Sequence, residues 1–180
     1  MNLPKEFIQN IELAFEEDGK QFIKDLPSLI EDASSCWKLS NVQPVPNLSY
    51  NFVAYAKQKD KDVMLKIGVP REELISEITV LKLYDGNGAC KLIGSDEEKG
   101  FLLLERLKPG EMLSELEDDD ERTQIAMNVM LSMGSASLLA NLQEQAPALQ
   151  KFIKLSNWFD GLKNIRKHYS GTGPFPQKIL

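Results

Sequence analysis

The sequence predicts an α+β protein, and three observations carry that expectation. Five short runs of strand-forming residues are interrupted once by a helical stretch. Two helical stretches precede them, and after Lys108-Pro109-Gly110 only helical periodicity remains. The expected organisation is therefore amino-terminal helices over 1–36, a sheet-bearing unit over 37–107 and a helical portion over 108–180.

Taken in order, Pro4 to Asp18 reads as an amphipathic helix, because Phe7, Ile11 and Phe15 recur every fourth residue, and Gly19 is expected to end it. Pro27 is expected to open a second helix that presents Leu29, Ile30 and Ala33 and ends around Ser34-Ser35. Three strands follow, Trp37 to Val42, Tyr50 to Lys57 and Asp62 to Ile67, read as a meander joined by Pro44–Ser49 and by the charged turn Gln58-Lys59-Asp60-Lys61. Val63, Leu65 and Ile67 alternate with Met64 and Lys66, the mark of a strand with one buried face. Pro70 starts the next helix, with Leu74, Ile78 and Leu81 as its apolar stripe and Gly86 as its stop. Ala89 to Gly94 and Gly100 to Glu105 complete the strands around an acidic turn. A long helix capped by Asp119 or Asp120 then runs to about Gln145, and Leu155 to Tyr169 repeat the helical period.

Composition narrows the function classes. With 180 residues, 42% of them hydrophobic and 27% charged, the chain suits one ordinary domain or two small ones. Its 21 basic against 27 acidic residues give a net charge of −6, so nucleic acid and anionic membranes are not expected partners. Cationic or neutral ligands fit better. Cys36 and Cys90 are far apart and His168 is the only histidine, which excludes a Cys/His zinc site and suits a reduced, cytoplasmic setting. The start lacks signal-peptide features, and no apolar run approaches the roughly 20 residues that span a bilayer.

The chemistry-bearing stretch is Lys66 at a strand end followed by a helix carrying Glu73 and Glu77. Kinases use such an arrangement to hold a lysine against nucleotide phosphates, with the glutamate fixing its rotamer. The run Leu65-Lys66-Ile67-Gly68-Val69-Pro70, then Glu73-Leu74 and Glu77-Ile78, then Gly100 to Leu107 with Pro109-Gly110, resembles the aminoglycoside and hydroxyurea resistance kinases, relatives of streptomycin phosphotransferase within the kinase-like fold. The resemblance extends from Phe7 to Tyr169 and covers only the amino-terminal portion of such a kinase.

It implies a five-stranded antiparallel nucleotide lobe with one helix, a hinge ending the lobe at 107, and the first helices of a truncated helical lobe. It also implies ATP and Mg2+ as cofactors and a small-molecule acceptor. Lys66 would meet the α- and β-phosphates and Glu77 would pair with it, Glu73 being the spare candidate. Glu105 and Leu107 would offer main-chain groups to the adenine edge, and Ser49, in the glycine-free turn Asn47 to Asn51, would face the phosphates.

The resemblance implies no magnesium ligands within the chain, since the His-x-Asp signature of the catalytic loop is absent; His168 is followed by Tyr169-Ser170, and Asp160-Gly161 comes too early. A chain inactive by itself is the expectation, with a non-catalytic kinase-like binding or regulatory module as the alternative. The acidic stretch Glu115 to Glu121 is read as a solvated helix start rather than a trap for an aminoglycoside, and Trp158, Phe159 and Tyr169 as core. Val129, Met133 and Ala136 would face water without the remaining lobe, so self-association is expected.

Overall fold

The computed structural model describes residues 3–133. It is a mixed fold of three helices and a five-stranded antiparallel sheet, in the order α1 (Lys5–Trp37), β1 (Leu39–Pro44), β2 (Phe52–Gln58), β3 (Lys61–Ile67), α2 (Glu72–Tyr84), β4 (Leu92–Asp96), β5 (Phe101–Glu105) and α3 (Asp119–Met133). A short 3-10 turn at Leu113–Glu115 precedes α3. The strands lie side by side as β1-β2-β3-β5-β4, so the meander is followed by a hairpin that places β5 against β3. Among the described residues no helix is long and apolar enough to cross a membrane.

Alternation along β3 divides the sheet into two faces. Val63, Leu65 and Ile67 are buried on one, and Leu65 and Ile67 share a core there with Phe52, Ala54 and Phe101 and with Phe7, Ile11, Phe22, Leu26, Ile30 and Ala33 of α1. Met64 lies on the other face, packed with Leu102, Leu104 and the α2 residues Leu74, Ile78 and Leu81. Each buried leucine or isoleucine of α2 contributes about 1.5–3 kcal/mol to holding the helix on the sheet.

The amino terminus differs from the sequence reading. Gly19 does not end a helix and Pro27 does not open one. The break lies at Glu16 (φ 54°, ψ −124°), and helix continues through both residues to Trp37. Gly19 is needed for space, since a Cβ there would collide with the carbonyl of Ile11 where the second segment folds back on the first. Pro27 is exposed and removes a single backbone bond, whereas Phe22, Leu26, Ile30 and Ala33 form one continuous buried stripe around it. Trp37 is likewise the last helical residue rather than the first of a strand. Lys38 adopts the left-handed conformation (φ 53°) and turns the chain into β1, and the Trp37 ring lies edge-on to Phe101 at 6.3 Å.

Two other boundaries move for local reasons. α2 begins two residues after Pro70, with Arg71 extended at its amino-terminal boundary, and closes at Asp85 (φ 42°) just before Gly86. Asp118, not Asp119 or Asp120, caps α3: its Oδ1 accepts a hydrogen bond from the Glu121 amide at 3.0 Å. Asp119, Asp120 and Glu121 then occupy the first turn, where the helix dipole favours negative charge, in keeping with a solvated helix start. α3 buries no residue, and Val129, Met130 and Leu131 are exposed. Ala136, the remainder of the helix expected from sequence to run to about Gln145, the stretch Leu155–Tyr169 with Asp160 and His168, and the segment Phe175–Leu180 lie outside the described residues.

Candidate functional site

Lys66 sits on β3 between Val53 of β2 and Leu102 of β5, on the face that α2 covers. Glu77 precedes the fully buried Ile78, so α2 cannot rotate away from the sheet without exposing that core residue. The two side chains meet in a bidentate contact, Lys66 Nζ donating to both carboxylate oxygens of Glu77 at 2.6 Å. Their side chains are 16% and 37% exposed. An ammonium group has three donors and no acceptor, so two bonds to Glu77 leave one N–H for an anion arriving from solvent. Glu73 is exposed in the first turn of α2 and is not the partner.

On the same face, Met64, two residues before Lys66, helps line a cleft of about 370 Å3 with Tyr55, Cys90, Leu104 and the segment from Glu105 to Glu111, except Lys108; neither Lys66 nor Glu77 lines it. Glu105 and Leu107 both line it. The Glu105 amide already donates to the Lys91 carbonyl at 3.0 Å, and its side chain accepts from the Lys91 amide at 2.6 Å. The Glu105 amide is thus committed to the sheet. Arg106 lies over the Tyr55 ring, 4.5 Å from its centroid, and forms one wall. Burial, followed by the charges of Glu105 and Glu77, pushes the Cys90 thiol up, so it is neutral near pH 7.

The loops at the open end of β3 are fixed by two glycines. Gly68 donates its amide to Gly100 at 3.0 Å, and Gly100, at φ 72°, has no room for a Cβ against the Gly68 carbonyl. A Cβ at Gly68 would collide with Asn51 Oδ1, which brings the β1–β2 turn onto the end of β3. Leu48 anchors that turn in the core under α1, while Ser49 is exposed and does not line the cleft. Of the five site residues read from sequence, the fold joins Lys66 to Glu77 and places Glu105 and Leu107 on one cleft. Ser49 stands apart.

Tyr55, Met64, Leu104 and Cys90 escaped the sequence reading. Three were accessible from register: Met64 is two residues before Lys66, Tyr55 is its β2 partner and Leu104 its β5 partner. Cys90 carried no such signal, because the segment before β4 reaches the cleft through a loop.

The arrangement offers a partly shielded cation at one end and an apolar slot with main-chain polar groups at the other. Among the described residues no group of three His, Cys, Asp or Glu could hold a metal ion, and Glu77 is engaged by Lys66. The described residues thus offer a partly shielded cation for an anionic group and a partly apolar slot for a flat one.

Comparison with known proteins bears on what such a site serves. The chain is 32% identical over 143 residues to streptomycin 6-kinase of Streptomyces glaucescens, covering 79% of this chain and 44% of that protein. It is 32% identical over 118 residues to streptomycin 6-kinase of Streptomyces griseus, covering 65% and 37%. Hydroxyurea phosphotransferase of Kitasatospora aureofaciens is 32% identical over 110 residues, covering 61% and 32%. The chain thus spans less than half the length of the curated relatives it matches. No solved structure matches it. The model of the aminoglycoside/hydroxyurea antibiotic resistance kinases matches residues 37–175, from the end of α1 through the whole sheet and beyond, and the chain belongs to that family.

Proposed function

We propose that this chain forms the ATP-binding portion of a small-molecule kinase. The bidentate Lys66–Glu77 pair on the same face as a partly apolar cleft carries the reading. Adenine would enter between Met64, Leu104 and Tyr55, taking the Glu105 carbonyl and the Leu107 amide, and the phosphates would extend to Lys66 and the Asn47–Asn51 turn with Ser49. The family and the relatives' names support the acceptor class: in the complete protein the γ-phosphoryl group passes to a hydroxyl of an aminoglycoside or hydroxyurea-like compound. A new P–O bond forms to that oxygen, the bond from the γ-phosphorus to the β,γ-bridging oxygen breaks and that oxygen leaves on ADP, and the hydroxyl proton passes to the catalytic aspartate assigned to the remainder of the kinase.

Catalysis in this scheme is positioning and charge neutralisation, to which this chain contributes Lys66, held in one rotamer by Glu77. Magnesium accompanies ATP, but the described residues do not form its cage, and no step is routed through it. The catalytic aspartate and magnesium ligands are assigned to the remainder of the kinase, so the chain alone binds ATP without turning it over. Its exposed α3 residues suit self-association, which sedimentation at tens of micromolar tests.

Calorimetric titration with ATP and an ADP-release assay test the reading. Saturable binding that Lys66→Ala weakens at least about tenfold, the worth of one charge-assisted hydrogen bond, is expected. Binding indifferent to Lys66, or no binding, would refute it. Phosphorylation of an acceptor by a longer form would exclude a non-catalytic module.

A further inference from the structure

Arg71 joins α1 to α2. Its backbone stands at the amino-terminal boundary of α2, while its guanidinium reaches into α1. Nη2 donates to Asp18 Oδ2 at 2.7 Å and to the Phe15 carbonyl at 3.3 Å, and the guanidinium carbon lies 5.3 Å from the Phe15 ring centroid. All three contacts flank the break at Glu16.

The break explains the choice of residue. A positive φ at Glu16 breaks the helical geometry right after Phe15, and the Phe15 carbonyl beside that break accepts from Arg71. A planar guanidinium can serve that carbonyl, a carboxylate and an aromatic face together, which the point charge of a lysine cannot. The α1 side of the contact is itself held: Phe15 is packed against the core that contains Phe7, Ile11 and Phe22.

From Arg71 to Glu77 is six residues, about 9 Å at the α-helical rise, less than two turns. A helix this short moves as a rod, so a shift at Arg71 carries Glu77 with it, within the range that the buried Leu74, Ile78 and Leu81 leave open. The family match begins at residue 37, the last of α1, so this latch ties a stretch before the match to the helix within it.

We propose that Arg71 is a positioning residue for the Lys66–Glu77 pair, with α1 acting through it as the strut that sets the position of α2. The inference rests on the reading of Lys66 as a phosphate ligand.

Titration of the full chain with ATP and magnesium tests it, in Arg71→Ala and Asp18→Asn, each alone and combined with Glu77→Gln. Arg71→Ala should weaken ATP about two- to tenfold, and Asp18→Asn should act in the same direction. In the Glu77→Gln background neither should add a further loss, because the group they position no longer holds Lys66 by charge. A merely structural role would lower affinity by the same factor in both backgrounds, and that result, or unchanged affinity in the single variants, would overturn the proposal. Should Arg71→Ala fail to fold, Asp18→Asn carries the test, since that side chain is 66% exposed. Lys66→Ala separates the two levels. If ATP affinity ignores Lys66, the nucleotide reading falls and this inference with it; if only Arg71 and Asp18 are silent, the positioning role alone is lost.

Discussion

Replacing Glu77 with glutamine keeps the shape of the side chain and removes its charge. Both Glu77 oxygens now accept from Lys66 Nζ at 2.6 Å, so the amide would retain one acceptor and turn an NH2 group toward a cation. With side chains 16% and 37% exposed, the pair lies between two regimes. Surface pairs are worth about 0.2–1 kcal/mol, and breaking buried ones costs about 3–5 kcal/mol. Solvent at Glu77 screens the interaction, so the expected loss of stability is about 1–2 kcal/mol. Urea unfolding should register it as a lower midpoint with unchanged slope.

The effect on ATP has a different origin. Lys66 remains but is free to leave its rotamer, so affinity should fall about three- to tenfold, less than on removing Lys66 altogether. The opposite sign is physically open, since deleting an anion beside a phosphate site raises the local potential. A Glu77→Gln variant that binds ATP more tightly would show that Glu77 competes for Lys66 rather than orienting it. That result, or unchanged stability together with unchanged affinity, would mean that Glu77 does not orient Lys66.

Gly100→Ala forces a side chain onto φ 72° and against the Gly68 carbonyl, so urea unfolding should show a loss of at least about 2 kcal/mol; a loss under about 0.5 kcal/mol would contradict the packing described. The hydrogen bond and charge of Lys108, with the charge of Lys57, hold the Asp62 carboxyl below the ordinary carboxylate range. Its folded pKa is below the unfolded one, so its stabilisation is present above about pH 4 and is lost as pH falls through the folded value. Stability profiles of wild type and Asp62→Asn should therefore converge in acid, more weakly so in high salt, and parallel profiles would count against the pairing. Cys90 is raised and partly buried in the cleft while Cys36 is exposed, so iodoacetamide at pH 7.5 should label Cys36 faster, and ATP should slow Cys90 only. Equal rates with and without ATP would remove Cys90 from the nucleotide site.

The sheet and its lysine were legible because period-two alternation is a local signal: Val63, Leu65 and Ile67 declare the buried face, and Lys66 must then share the other face with Met64. The choice between Glu73 and Glu77 rested on family resemblance. Each precedes a buried residue, Leu74 or Ile78, so helical phase cannot separate them; only height along α2 does, and height depends on how the helix docks.

The amino terminus was misread for the same reason in reverse. Gly19 and Pro27 are strong local punctuation, but the stripe from Phe22 to Ala33 overrides them, and the real break falls at Glu16, a residue with no helix-breaking chemistry. Its surroundings are tertiary. The latch from Arg71 and the close approach at Gly19 are contacts over sequence distances that no periodicity reveals. The cleft was half legible, since Tyr55, Met64 and Leu104 follow from strand register once β5 is placed beside β3.

The proposed function requires ATP to occupy the cleft beneath the Leu107 segment, with its phosphates reaching Lys66. Amide NMR spectra of the full chain, recorded while a non-hydrolysable ATP analogue is added, test it most directly. Saturable shifts are expected at Met64, Lys66, Cys90 and above all Leu107, with Lys66→Ala weakening the response at all of them. Saturable shifts confined to residues away from this cleft, or none at millimolar analogue, would contradict it.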